Sequence, residues 1–224
     1  MGSNVLRIVS WNCHCGLKIE KYLEIKQYSP HILIIQECTK NDFDYIKNIW
    51  KYKNWYNDDF KNNKSEYGVA IFSDYEITFT EIFNREFRYV IPYVVSKNNY
   101  KLFTLFAVWI NPIKGNYIEH LDDAVNYYRK NNILDDNTII IGDFNTFAKE
   151  TNRELINLEK KLEPLINCCT IKTKLRHEPT YYHTKNNKGT DDFCFIGKDI
   201  KNNFIDIDIP NEWDDSKDKD HHWK

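Results

Sequence analysis

The chain has 224 residues, 42% hydrophobic, 15% aromatic and 29% charged, which predicts one domain spanning residues 1–224 and excludes disordered or collagen-like sequence. No apolar run reaches the ~18 residues of a membrane span, and the N-terminus lacks the regions of a secretory leader, so a soluble, cytoplasmic protein without membrane contacts is expected, a monomer by default. The 31 basic and 33 acidic residues give a net charge of −2. That excludes a globally basic surface, so any polyanionic partner has to be met by local charge. The six cysteines sit in or beside apolar runs without an export signal and read as reduced thiols rather than a disulfide framework. Cys13-His14-Cys15 resembles half a zinc site, but no second cluster with matching spacing answers it.

In chain order, residues 5–11 form the first strand candidate, followed by an amphipathic helix with Ile19, Tyr22 and Leu23 on one face, stopped by Pro30. Residues 32–35 are continuously apolar, as in a strand buried on both faces, and run into Gln36-Glu37. A short helix is expected over 42–50, with Asp42 near its positive end. Residues 67–72, 76–83, 89–95 and 101–110 read as antiparallel strands, with Asn98-Asn99 as a turn and Pro92 demanding an edge or bulge. A second helix over 117–130 presents Tyr117, Leu121, Ala124 and Tyr128 at i, i+4, i+7 and i+11. Residues 139–141 form another buried strand, ending in Gly142-Asp143-Phe144-Asn145. A third helix carries Leu155, Leu158, Leu162 and Leu165, and short strands or loops follow at 179–183, 192–196 and 204–209. Alternating short strands and helices predict an α/β (α+β) protein of layered sheets.

Acids stand where buried strands end: Glu37, Asp143 and, near the C-terminus, Asp220 beside His221. Strand ends on one side of a sheet converge, so residues distant in sequence can share a site. Carboxylate and amide oxygens gathered at one point suit a hard dication, Mg²⁺ or Mn²⁺.

Ser10-Trp11-Asn12, Gln36-Glu37, Gly142-Asp143-Phe144-Asn145, Asp192-Phe193-Cys194-Phe195 and Asp220-His221 together resemble, in order and spacing, the endonuclease/exonuclease/phosphatase superfamily of exonuclease III and DNase I. The resemblance runs from about residue 4 to 222. It implies a four-layer αββα sandwich of two mixed sheets. It also implies Glu37 as principal metal ligand with Asn12 beside it and Asp220 completing the metal side. Asp143 would orient or deprotonate the attacking water. Asn145 would position that water or donate to a phosphate oxygen. Asp192 would hold the ring of His221, which donates to the phosphate.

The sequence departs from the family at several places. Trp109, three residues before Pro112, stands where many relatives carry a phosphate-contacting His or Tyr. His14 stands where several have Asp or Asn, and is an auxiliary ligand, a phosphate contact or an ordinary loop residue. Asp191 precedes Asp192, and the apolar residues 193–196 favour Asp192 as the site acid. Relatives continue past Asp-His with a proline and a closing strand, whereas three residues follow His221 here, so either the sheet is one strand shorter or the natural end is missing.

Between 169 and 190 the chain carries Lys172, Lys174, Arg176, Lys185 and Lys188 against Glu178, with Tyr181 and Tyr182. Basic and aromatic residues interleaved before Asp192 match what a phosphate backbone requires. Arg85 and Arg88 form a weaker second candidate. The leading expectation is a Mg²⁺- or Mn²⁺-dependent phosphodiesterase acting on DNA, an endonuclease or exonuclease III-like repair nuclease. The alternatives are hydrolysis of a small phosphoester (an inositol phosphate, a phospholipid head group or a nucleotide) and a catalytically silent binding module.

Overall fold

Two β-sheets pack face to face, each covered on its outer side by helices. The computed structural model describes residues 5–14, 16–57, 66–111, 117–148, 153–171, 181–184 and 187–208. The first sheet contains β1 (Ile8–Asn12), β2 (Ile32–Thr39), β3 (Tyr52–Tyr56) and β4 (Tyr67–Ser73) in the order β1-β2-β4-β3. The second contains β5 (Glu76–Phe79), β6 (Val90–Lys97), β7 (Tyr100–Trp109), β8 (Thr138–Ala148), β10 (Tyr181–Thr184) and β11 (Asn187–Ile196), in the order β10-β11-β8-β7-β6-β5. A short β9 (Ile166–Asn167) also pairs with β11. Both sheets are mixed: β1 runs parallel to β2 and β7 parallel to β8, and the other pairs are antiparallel.

The layering explains why β2 lacks alternation. Leu33 and Ile35 pack beneath α1 (Ile19–Gln27) and α2 (Lys40–Ile46), whereas Ile32 and Ile34 face Ile91, Leu105 and Ala107 of the opposite sheet. Every position is therefore apolar, and each fully buried aliphatic side chain contributes about 1.5–3 kcal/mol. On the far side, α3 (Tyr117–Lys130) and α4 (Arg153–Leu162) cover Phe106, Val108, Ile140, Phe193 and Phe195. The short helix α5 (Cys168–Ile171) precedes β10, and α6 (Lys198–Lys201) follows β11. The result is the expected four-layer αββα arrangement. Among the described residues no helix is long and apolar enough to cross a membrane.

Several local expectations change. On α1 the buried face is Tyr22 and Ile25, while Ile19 and Leu23 are 38% and 53% exposed. On α3, Tyr117 is exposed and Val125 joins Leu121, Ala124 and Tyr128 in the core. The helix expected over 42–50 begins earlier, because Thr39 caps α2 in a reciprocal box with Asp42, and it ends in a 3₁₀ turn at Lys47–Ile49. The strand β3 has no counterpart in the sequence reading, and β5 stops at Phe79 instead of 83. Residues 204–208 are not a strand. Pro92 sits in register with Phe106 inside β6, and its carbonyl accepts from Thr80 just past the end of β5. Its missing N–H points to that same side, so Pro92 keeps the accepting half of a pair at the end of β5 and forgoes only the donating half.

Candidate active site

Parallel pairing of β1 with β2 sets Asn12 opposite Gln36, and the ladder then breaks: register shifts between Ile35 and Cys38, and Glu37 adopts φ +54°. A bulge of this kind re-aims a side chain. It leaves Glu37 19% exposed at the mouth of the sandwich instead of buried in either face. Cys13 holds the bulge from beside it, its N–H donating to the Gln36 carbonyl (3.0 Å) and its thiol to the carbonyls of Gln36 (3.1 Å) and Glu37 (3.2 Å). Burial pushes the Cys13 thiol up to about 12, so it stays a neutral donor.

From the second sheet, β8 brings Asp143 between two neighbours, Trp109 on parallel β7 and Asp192 on antiparallel β11. Directly paired residues share a face, and here it is the face turned toward the first sheet. Asp143 is fully buried, while both carboxylate oxygens of Asp192 are buried beside it. Asp191 falls in the irregularity between Thr190 and Asp192, so Asp192 is the acid opposite Asp143. Gly142 makes the approach of the sheets possible. Its φ is +145°, and a Cβ there would lie 2.0 Å from the Val108 carbonyl and 2.9 Å from Gln36 Nε2. That room lets Gln36 reach across, donating to Val108 O (3.2 Å) and to Ser10 Oγ (2.9 Å).

One amide joins the two halves. Asn12 Nδ2 donates to Glu37 Oε1 (3.0 Å) and to Asp143 Oδ2 (2.7 Å), while its Oδ1 accepts the His14 N–H (2.9 Å), which fixes which end of the amide faces the acids. Asp143 Oδ1 accepts the N–H of Asn145, whose φ of +48° folds the chain back and whose side chain donates to Ile110 O (2.9 Å). The bonded oxygens of Glu37 and Asp143 therefore lie less than about 6 Å apart, where two charges at an effective dielectric near 20 repel by roughly 3 kcal/mol. A cation offsets that cost. His14 Nδ1 lies 3.8 Å from Glu37 Oε2.

The structure thus brings together Asn12, His14, Glu37, Asp143, Asn145, Asp192 and Trp109. Trp109 is 5% exposed and packs on Tyr89 with ring centroids 4.6 Å apart, so it forms a wall of the site and offers no acid. Lys172, Lys174, Arg176, Asp220 and His221 lie outside the described residues. Tyr181 and Tyr182 fall on β10, opposite Gly189 and Lys188 of the strand that carries Asp192. Arg88 is not a surface cation: it is 6% exposed, its guanidinium 5.1 Å from the Tyr89 ring. Sequence reasoning assigned no role to Gln36, Cys13 or Tyr89. A glutamine directly after the apolar run 32–35 was the available signal for the first. The other two had none, because thiol donation and the φ of +57° at Tyr89 depend on tertiary contacts.

Among the described residues no three His, Cys, Asp or Glu side chains gather closely enough to hold a metal by themselves. The donor set nevertheless fits a dication such as Mg²⁺, which takes one or two carboxylates and keeps several waters. Glu37 would supply the partly exposed carboxylate, with Asp143, buried and already accepting from two N–H groups, behind it.

Nothing among curated protein sequences matches. The endonuclease domain of TRAS1, a telomere-specific non-LTR retrotransposon, shares the fold with a TM-score of 0.60 at 15% identity, covering 88% of each chain. An AP endonuclease from Archaeoglobus fulgidus gives 0.59 at 16%, covering 85% of this chain and 86% of that one. TDP2 from D. rerio, complexed with a single-strand DNA product, gives 0.56 at 16%, covering 86% and 83%. At these identities the likeness concerns the fold. The family model described as "Endonuclease/Exonuclease/phosphatase family" matches residues 9–197, from the strand that ends in Asn12 to just past the strand that carries Asp192, and the chain therefore belongs to the endonuclease/exonuclease/phosphatase family.

Proposed function

We propose that the protein is a divalent-metal-dependent phosphodiesterase that hydrolyses DNA. The observation that carries this reading is the Asn12 amide bridging Glu37 and Asp143, which draws acids from both sheets into one mouth. Glu37, with Asn12 beside it and Asp220 from the C-terminal segment, would hold Mg²⁺ or Mn²⁺. The ion, when bound, would polarise the phosphate and favour departure of the leaving oxygen. Asp143 accepts a proton from the attacking water as the new P–O bond forms and the bond to the leaving oxygen breaks. Asn145 holds the turn that aims Asp143, Asp192 orients His221, and His221 donates to the phosphate. The structures of the AP endonuclease and of TDP2 with DNA support a nucleic-acid substrate by analogy of fold, and the basic segment before Asp192 supports it by charge.

The test is a panel of abasic duplex, plain duplex, single-stranded DNA, RNA and a phosphomonoester, each with Mg²⁺, Mn²⁺ or chelator. Cleavage should need metal, and Glu37→Gln or Asp143→Asn should lower it by roughly a hundredfold or more with an unchanged circular dichroism spectrum. Full activity in either variant rejects the mechanism. The balanced charge of the chain favours a second reading, hydrolysis of a small phosphoester. Ionic strength separates the two, because DNA cleavage weakens steeply with salt as phosphate contacts release counterions, and turnover of a small ester does not.

A further inference from the structure

We propose that His14 is a nitrogen donor of the metal centre and biases it toward a first-row transition-metal dication, Mn²⁺ over Mg²⁺; this rests on the reading of the site as a divalent-metal centre. His14 Nδ1 stands 3.8 Å from Glu37 Oε2, and the two side chains are 35% and 19% exposed. Both open to the mouth of the sandwich. The other oxygen of Glu37 is held by Asn12, so the oxygen toward His14 is the one turned from the interior.

The ring's position is imposed by its backbone. His14 has φ +42°, a conformation few residues adopt and in which Asn, Asp and His are enriched. Its N–H is fixed to Asn12 Oδ1, and the preceding carbonyl, that of Cys13, accepts from Lys21 Nζ at 3.2 Å. The same amide that aligns Glu37 with Asp143 thus also aims His14.

The chemistry then follows from the donor type. Mg²⁺ requires near-ideal octahedral oxygen ligation at about 2.0–2.1 Å, so neighbouring ligands stand about 3 Å apart. Rotation of a half-exposed ring closes the remaining gap of under about 1 Å. An imidazole nitrogen adds little for Mg²⁺; Mn²⁺, at the low end of the Irving–Williams series, gains less from it than the later dications but more than Mg²⁺.

The test uses the full chain with Mn²⁺ and Mg²⁺ alone, and compares wild type with His14→Asn, which keeps the left-handed turn and replaces nitrogen by an amide oxygen, and with Glu37→Gln. Calorimetry gives the two affinities, and pulsed electron paramagnetic resonance of bound Mn²⁺ shows whether a ¹⁴N nucleus is coupled. Wild type should show imidazole ¹⁴N coupling. In His14→Asn the coupling should vanish and the ratio of Mn²⁺ to Mg²⁺ affinity should fall about tenfold, with Mg²⁺ affinity within about twofold of wild type. Mn²⁺ binding without ¹⁴N coupling, coupling that survives His14→Asn, or an unchanged affinity ratio overturns the role of His14 and leaves the metal centre standing. No binding of either ion to wild type, or binding undiminished in Glu37→Gln, overturns the metal centre itself and His14 with it.

Discussion

At the residue scale, Asn12 joins three parts of the candidate site. Its one side-chain amide donates to two carboxylates and accepts the backbone of His14, so three elements of the site depend on one rotamer. His120 on α3 marks a different kind of constraint. Burial holds its ring below the ordinary value near 6.5, against the opposing effect of its bond to the Arg88 carbonyl. A histidine depressed in the folded state takes its proton first in the unfolded state. Stability should therefore be complete above about pH 6.5, fall as pH drops below that value, and level off once the folded ring protonates. Urea midpoints measured between pH 7.5 and 5 should show this decline, and His120→Gln should remove part of it. An identical profile in the variant rejects the assignment.

At the element scale, the site is made by interruptions in otherwise regular strands. β2 breaks register at Glu37, β11 at Asp191 and Asp192, and β8 passes through Gly142 and Asn145, both with positive φ. Strained backbone at a strand end persists only where neighbours impose it, and here they do: Cys13 grips the first break and Gln36 crosses over Gly142. A methyl group at 142 meets a backbone carbonyl that cannot rotate away. Gly142→Ala should therefore cost on the order of 3 kcal/mol or more in denaturant unfolding, and should separate Gln36 from Val108. A loss below about 1 kcal/mol contradicts the close approach described for these strands.

At the scale of the whole molecule, the proposed site draws on both sheets: Asn12 and Glu37, on its metal side, come from the first, and Asp143 and Asp192 from the second. A cation held by Glu37 would offset the charge of Asp143 across the mouth of the sandwich and so tie the two sheets together. Binding to the folded state alone stabilises by about 2.7 kcal/mol at a hundred times the dissociation constant, which for a chain of this size is a rise of roughly 5–11 °C in Tm. Scanning calorimetry with Mn²⁺ and then chelator should show the rise and its reversal, and Glu37→Gln should blunt it. A Tm indifferent to metal in wild type argues against a site shared by the sheets.

Fold class and the type of nearly every element are legible in the sequence because they follow from local periodicity, whereas the number of layers is implied only by the resemblance of the motifs to a known family. The unbroken apolar run of β2, the three-to-four spacing on α3 and the paired Asn98-Asn99 turn each encode their own environment. The short polar strand β3 escapes because Tyr52, Lys53 and Asn54 carry no period, and its place is set by its ladder with β4 and by contacts from Cys38 and Tyr93. The acids too are legible as residue types at strand ends. What only the tertiary structure decides is their relation. Asn12 and Asp143 are 131 residues apart yet 2.7 Å from donor to acceptor, Trp109 is committed to Tyr89 and not to solvent, and His14 meets Glu37 because the Asn12 amide that turns its backbone is itself anchored on Asp143. Periodicity says which face of a strand is buried. It carries no information about which strands become neighbours across two sheets, and the chemistry of this site is made by that pairing.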